Sequence, residues 1–416
     1  MSPRALRGGL ALWAVVVAFL TLVPSTDPAP HLVADFLCLW CGERSSGDMV
    51  LNLFLFLPAG LLLGGLVDLR QAVVVGVVGT MGIEAAQAFI PGRTPSLTDL
   101  ILNGAGTALG AYVVGRARVR PFLWGIAALS AAAWILPAAL MSPHSTGTTL
   151  FGLWVPDFSH MARYEGEVLQ ARVDGRPAQF RLEESPTVAR ALVQRRPVRI
   201  TLVAGRQPQR LAPVFAVYDE DENVHLMVAT LGEDILVRPR THATALRLDQ
   251  PDLRARGALL GVHPGDTVRM QLRVEARRRC LEVEERVLCD LAPGAGDGYG
   301  FLLNLEGAPA WARTGLAWAW SFTLGLAIAL PLAFLPWTAA TIRLLGAGLG
   351  GALGLAQVGL ASTLPDLALR PWQLVFFLVG TVCAGVLAPW VADVVPARRK
   401  EGEGGDEPVP SEDPAA

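Results

Sequence analysis

Charge is scarce in this sequence. Only 17% of its 416 residues are charged, against about a quarter in an ordinary soluble chain, and 52% are apolar. The shortfall is uneven. Long charge-free runs occupy both ends, while the middle has ordinary charge density, which is the pattern of membrane segments flanking a water-soluble domain. Neither sign dominates: 35 basic and 37 acidic residues leave a formal net charge of −2. That balance gives no electrostatic support for a nucleic-acid partner. Cysteine is scarce too, with five residues. They fall as two close pairs, Cys38/Cys41 and Cys280/Cys289, with Cys383 alone in an apolar run. No second Cys/His pair lies near Cys38-x-x-Cys41 to complete a zinc site. Both pairs therefore read as disulfides of an oxidising compartment, with a metal or redox motif as the alternative for Cys38/Cys41. Glu284-Glu285 can form the hairpin turn that brings Cys280 opposite Cys289.

What the ends do have is apolar length. A helix needs about 20 apolar residues to cross the hydrocarbon core. Eight runs qualify: 8–23, 49–67, 72–90, 97–115, 122–141, 315–335, 342–363 and 372–395. The segment Pro24-Ser-Thr-Asp-Pro28 lacks a small-x-small cleavage site, so the first run reads as a span and not as a signal peptide. Arg4, Arg7, Arg70, Arg116, Arg118, Arg120, Arg398, Arg399 and Lys400 all fall on one side if every run spans. The positive-inside tendency makes that side cytoplasmic, together with both termini; Arg93 and Arg370 are single exceptions on the outer side. Gly106 and Gly110, and Gly346, Gly350 and Gly354, repeat every four residues, which puts small residues on one helix face for close packing.

The middle segment changes period. Short alternating stretches are separated by turn residues: 178–183, 197–204, 213–218, 224–230, 234–238, 267–274, 279–284 and 300–305. Val268, Met270, Leu272 and Val274 alternate with Arg269, Gln271 and Arg273. This predicts an antiparallel sandwich. The expected fold is thus a polytopic α-helical membrane protein of about eight spans with an inserted all-β antiparallel sandwich. Its expected parts are 1–141, 142–309, 310–396 and a disordered cytoplasmic tail 397–416. The run from Val198-x-Ile200-x-Leu202 through Val214–Asp219 and Val224-x-Leu226-x-Val228 to the Cys280–Cys289 hairpin resembles the concanavalin-A-like lectin/laminin-G sandwich, a jelly roll. That resemblance implies glycan or protein binding, sometimes with calcium. Asp219 and Asp221 are the candidate calcium ligands, with an exposed acidic turn as the alternative. Otherwise no cofactor is expected. Glu282 and Glu284 share a face as glycosidase carboxylates do, but the Glu-x-Asp-x-x-Glu pattern of the related glucanases is missing, and a solvated hairpin is the reading.

Ionisable residues inside membrane helices ask for a reason. Asn52 opens the second run, Glu84 and Gln87 share a face of the third, and Arg93 lies in the tight loop Pro91–Pro95. Ser96, Asp99 and Asn103 begin the fourth. Asn52-Leu-Phe-Leu-Phe-Leu-Pro58-Ala-Gly60, then Glu84-x-x-Gln87-x-Phe89-x-Pro91-x-Arg93-x-x-Ser96-x-x-Asp99-x-x-x-Asn103-x-x-Gly106-x-x-x-Gly110, resemble the VanZ-like family over 10–115. The resemblance implies a bacterial cell-envelope setting and a link to low-level teicoplanin resistance, without an established reaction. Each residue also has a structural alternative: Ser96 and Asp99 as a capping box, Glu84 as a counter-charge to Arg93, Asn103 as a helix bridge. The expected partners are membrane lipids and an envelope glycan or lipid-linked wall precursor. The competing expectation is an intramembrane enzyme acting on that precursor.

Overall fold

A computed structural model describes residues 2–22, 24, 39, 45–91, 93, 95–115, 119–145, 149–158, 161–303, 308–335 and 338–394. Its long helices form two groups. The first holds α1 (Pro3–Leu22), α2 (Ser45–Gly64), α3 (Leu69–Gln87) and α4 (Leu97–Gly115). The chain continues through α5 (Val119–Ile135) and the one-turn α6 (Pro137–Leu140) into the β-rich part. Among the described residues, six helices are long and apolar enough to cross a membrane; 121–135 and 371–387 are apolar but shorter. The eight apolar runs of the sequence thus all become helices. Cys38, Cys41, Arg116, Arg118, Arg398, Arg399, Lys400 and the tail 397–416 lie outside the described residues.

Glycine sets how the first group packs. A Cβ at Gly60 would stand 2.1 Å from the Thr107 carbonyl oxygen, and one at Gly106 would stand 2.3 Å from that of Leu53. Gly64 and Gly110 repeat this one turn away, against Ala111 and Leu57. Backbone therefore meets backbone between α2 and α4, the close approach that small residues permit.

The β-rich part is built from β1 (Leu150–Trp154), β2 (Glu167–Val173), β3 (Arg176–Pro177), β4 (Phe180–Arg181), the helix α7 (Ser185–Val193), β5 (Val198–Val203), β6 (Ala212–Asp219), β7 (Val224–Leu231), β8 (Asp234–Pro239), the turn helix α8 (His242–Ala245), β9 (Leu253–Ala255), β10 (Thr267–Glu275), β11 (Arg278–Val283) and β12 (Arg286–Leu288). These make two six-stranded sheets, ordered β4-β1-β6-β7-β8-β9 and β12-β11-β10-β5-β2-β3, with their strand pairings antiparallel. Alternation works as expected in β10, where Val268 and Met270 are buried. The central strands β6 and β7 are buried almost throughout, because a second apolar cluster around Leu211, Met227 and Leu236 covers their outer face.

Cys280 and Cys289 form a disulfide with Cα atoms 4.0 Å apart. It closes the β11–β12 hairpin beyond the Leu281–Leu288 pair, and the turn holds Glu284 at φ +50. Residues 300–303 do not form the strand expected over 300–305, whose last two residues lie outside the described ones. The chain there leaves a 3-10 segment, Ala295–Phe301, held by the Asp297 carboxylate on the Gly294 N–H at 2.7 Å. A side chain at Gly296 would strike Ser321 and Gln373, so this glycine-rich stretch nests among helices where a strand could not.

The chain then re-enters the apolar part through α9 (Ala310–Ala329), α10 (Ala339–Thr363) and α11 (Pro371–Val394). Trp134 of α5 stacks on Phe377 of α11 at 4.0 Å, and its cluster includes Leu324 and Ile328 of α9. The sandwich is therefore inserted between two helices that pack in one bundle. Gly346, Gly350 and Gly354 of α10 face Thr381 and Leu374 of α11, as their spacing predicts.

Candidate functional site

Three helix ends meet below the sandwich. The Ser46 N–H donates to the Arg247 carbonyl at 3.2 Å, so the start of α2 abuts the foot of the sandwich. The α3–α4 turn lies at the same end of the group, where Asn52 of α2 meets Asp99 of α4. The polar residues singled out by the sequence collect there. Glu84, 7% exposed, accepts the Ser96 N–H at 2.8 Å. Ser96 Oγ accepts the Asp99 N–H at 3.4 Å, the local half of a capping box; the other half is supplied by Glu84 from the neighbouring helix. Asp99 Oδ1 accepts from Asn52 Nδ2 at 2.6 Å. The glycine contacts between α2 and α4 are what bring Asn52 within that reach.

Two further members turn toward α1. Gln87 Nε2 donates to the Thr21 carbonyl at 3.0 Å, and Arg93 Nη2 donates to that of Leu20 at 3.1 Å. Asn103 sits one turn deeper on α4, 3% exposed. Buried Gln87 Oε1 and Asn103 Oδ1 have no hydrogen-bond partner among the described residues. Glu84 and Asp99 lie within electrostatic reach of each other, and Asp48, one turn before Asn52, adds a third carboxylate on Asp99's side. The arrangement is an acid-rich cluster in which Glu84 and Asp99 bond neutral donors, and it suits accepting hydrogen bonds from hydroxyl, amide or ammonium groups.

Asp219 and Asp221 belong to a turn in the sandwich. The Asp219 carboxylate accepts from the N–H groups of Asp221 (3.0 Å) and Asn223 (2.9 Å), the Asn223 amide (3.0 Å) and His225 Nε2 (2.9 Å). Donors surround it, which closes the turn. Ser145 Oγ lies 2.9 Å from His225 Nδ1 on the other side of the ring. The order Ser145, His225, Asp219 is that of a nucleophile relay, yet His225 and Asp219 are 3% and 4% exposed. The adjoining cavity is about 40 Å³, too small for a substrate. We read it as a polar tie in the core. Burial pushes the His225 pKa down despite Asp219. Burial alone would raise Asp219, but its bonds from His225 and Asn223 hold it below the usual carboxylate range.

The sequence did not point to three features: the buried Asp366, the buried Asp297, and an arginine-lined cavity at the base of the sandwich. Their residues lie in loops, short segments and helix ends with no repeating pattern, and contacts distant in sequence assemble them.

A family model described as VanZ/LLP1 matches residues 10–118, the segment that runs from within α1 to the end of α4 and holds every residue of the cluster. No curated protein and no solved structure matches the chain.

Proposed function

We propose that this is a multi-pass protein of a bacterial plasma membrane that binds a lipid-linked cell-wall precursor through the α2–α4 cluster. One observation carries the reading: Glu84 and Asp99 are carboxylates in apolar helices, and they accept hydrogen bonds from a backbone N–H and an amide. A carboxylate held this way in a membrane segment is expensive and needs a purpose. Sugar hydroxyls and peptide N–H groups of a wall precursor supply further donors to such a site.

Orientation follows the same logic. Arg4, Arg7 and Arg70 stand at the helix ends away from the sandwich, and basic residues favour the cytoplasmic side. The sandwich is then extracytoplasmic, with both termini inside. Lectin-like glycan binding by the sandwich would hold the wall polymer near the cluster. The VanZ-like segment supports a link to glycopeptide resistance.

A second reading is supported by the nearness of Glu84 and Asp99. Two adjacent carboxylates can divide acid and base roles, which would make the cluster an intramembrane enzyme site on the same precursor. Chemical change in purified precursor, against binding without change, separates the two.

The test is expression in a teicoplanin-susceptible bacterium. Wild-type protein raises the inhibitory concentration, and Glu84→Gln/Asp99→Asn at equal membrane abundance does not. Equal susceptibility with both proteins contradicts the proposal.

A further inference from the structure

A cavity of about 560 Å³ lies between the base of the sandwich and the adjoining ends of α9 and α11. Residues 250–256, 288–303, 313–318 and 370–373 contribute to its wall. Its size falls within the range of small-molecule sites, about 300–1,000 Å³. Four arginines line it: Arg254, Arg256, Arg313 and Arg370.

Three of the four have no ion pair within 4.0 Å among the described residues, and Arg254 is the exception. Asp252 is taken by Arg238 at 2.8 Å, and Asp290 by Arg278, with Nε to Oδ1 at 2.6 Å; neither of these partners lines the cavity. The third carboxylate in the wall, Asp297, accepts from the Gly294 N–H and, at 3.0 Å, from the Gln373 amide. Burial pushes its pKa above the usual carboxylate range, against the opposing pull of Gly294, Gln373, Arg370 and Arg256. Arg254 is matched by Asp234 at 2.5 Å. Arg370 is steered by the carbonyl oxygens of Asp290 (3.3 Å) and Ala292 (3.2 Å), which orient a guanidinium without neutralising it. Arg256 and Arg313 have no acidic partner within 4.0 Å among the described residues. Arg313 Nε is buried there with no acceptor among them. A buried donor without a partner is costly to keep, and an incoming anion removes that cost.

The lower wall is aromatic. Trp318 stacks on Phe376 at 5.1 Å, and Trp372 is 65% exposed. Both sit on α9 and α11 beside the sandwich, and tryptophan favours the headgroup level of a bilayer.

We propose that this cavity binds the phosphate headgroup of an anionic lipid. Arg256, Arg313 and Arg370 hold the phosphate, since the guanidinium fork matches phosphate oxygens. The hydrocarbon chain leaves past Trp318 and Trp372 along α9 and α11. This site shares no residue with the α2–α4 cluster and stands or falls independently of it.

The test uses the full chain purified in a neutral detergent, with binding read by thermophoresis. Short-chain phosphatidic acid, diacylglycerol of the same chains, and inorganic phosphate are the three probes. Phosphatidic acid binds at least about tenfold tighter than either of the others, as a charge-assisted contact added to chain burial requires. Arg313→Gln/Arg370→Gln lowers that affinity about tenfold or more, while Arg206→Gln, outside the cavity, leaves it unchanged. Trp372→Ala, at an exposed position, weakens phosphatidic acid and leaves inorganic phosphate as it was. If the double variant does not keep its fold, Arg256→Gln decides the same point from an exposed position. Diacylglycerol binding as tightly as phosphatidic acid overturns the phosphate site. Inorganic phosphate binding as tightly overturns the lipid as its occupant. Unchanged affinity in the arginine variants overturns the location.

Discussion

The Asp366 carboxylate, in the loop between α10 and α11, is bonded to the Arg279 guanidinium of β11. Asp366 is 3% exposed and Arg279 is 4% exposed. Arg195, at the end of α7, reaches the same carboxylate, with Nε 3.1 Å from Oδ1. One acid of the helical part thus anchors two basic side chains of the sandwich. Two cations around one buried anion are tolerable only while all three remain together.

Asp366→Ala is therefore expected to strand Arg279 as an uncompensated buried charge. The cost is about 3–5 kcal/mol, read as a fall in Tm in detergent. Arg195 is a quarter exposed and can turn to water, so Arg195→Gln costs less. Equal losses for the two substitutions contradict the asymmetry in burial.

Acid should weaken the sandwich through His225 and Asp219. The folded pKa of His225 lies below its ordinary value of 6.5, so the unfolded chain binds the proton first. Stability is lost as pH falls below about 6.5. Asp219 is also depressed; its share is full above the unfolded carboxylate pKa and fades as pH falls through the folded value. Both act in the same direction. Tm measured from pH 8 to 4 should decline below about 6.5, and His225→Gln should flatten the upper part of that decline.

Reduction should loosen the sandwich. The Cys280–Cys289 disulfide closes a short loop, and constraint of the unfolded chain contributes about 2–3 kcal/mol for such a loop. Cys280→Ser/Cys289→Ser should lower Tm, and reducing agent should then produce no further fall from this hairpin.

The glycine seam predicts a sharp contrast within the first helical group. Gly60→Ala places a methyl against the Thr107 backbone, which cannot move aside, and should lower stability and membrane abundance. A Cβ at Gly79 would meet nothing within 4 Å, so Gly79→Ala should be neutral or slightly stabilising through helix propensity.

Much of this is legible in the chain. Apolar length marks the helices, and four-residue glycine spacing marks their contacts. Alternation marks β5, β6, β7, β8, β10 and β11. Polar residues in apolar runs mark the cluster, because burial there is costly wherever it occurs. β2 escapes because a bulge between Val168 and Gln170 breaks its alternation. β1 is short and has no clear alternation. Sequence position alone puts Arg93 in the loop above the two acids. In the fold it bonds the Leu20 carbonyl, because the end of α1 lies within its reach, and loop neighbours of that kind carry no periodic signal. The arginine-lined cavity and Asp366 depend on contacts between residues more than fifty positions apart, which no local pattern records.

The measurement closest to the central claim is binding of a purified lipid-linked wall precursor by the full-length protein, read by native mass spectrometry from detergent. Wild type should carry the precursor. Glu84→Gln/Asp99→Asn, with unchanged Tm, should lose it, while Arg313→Gln/Arg370→Gln should retain it. Equal precursor occupancy in wild type and in the Glu84/Asp99 variant would contradict the account.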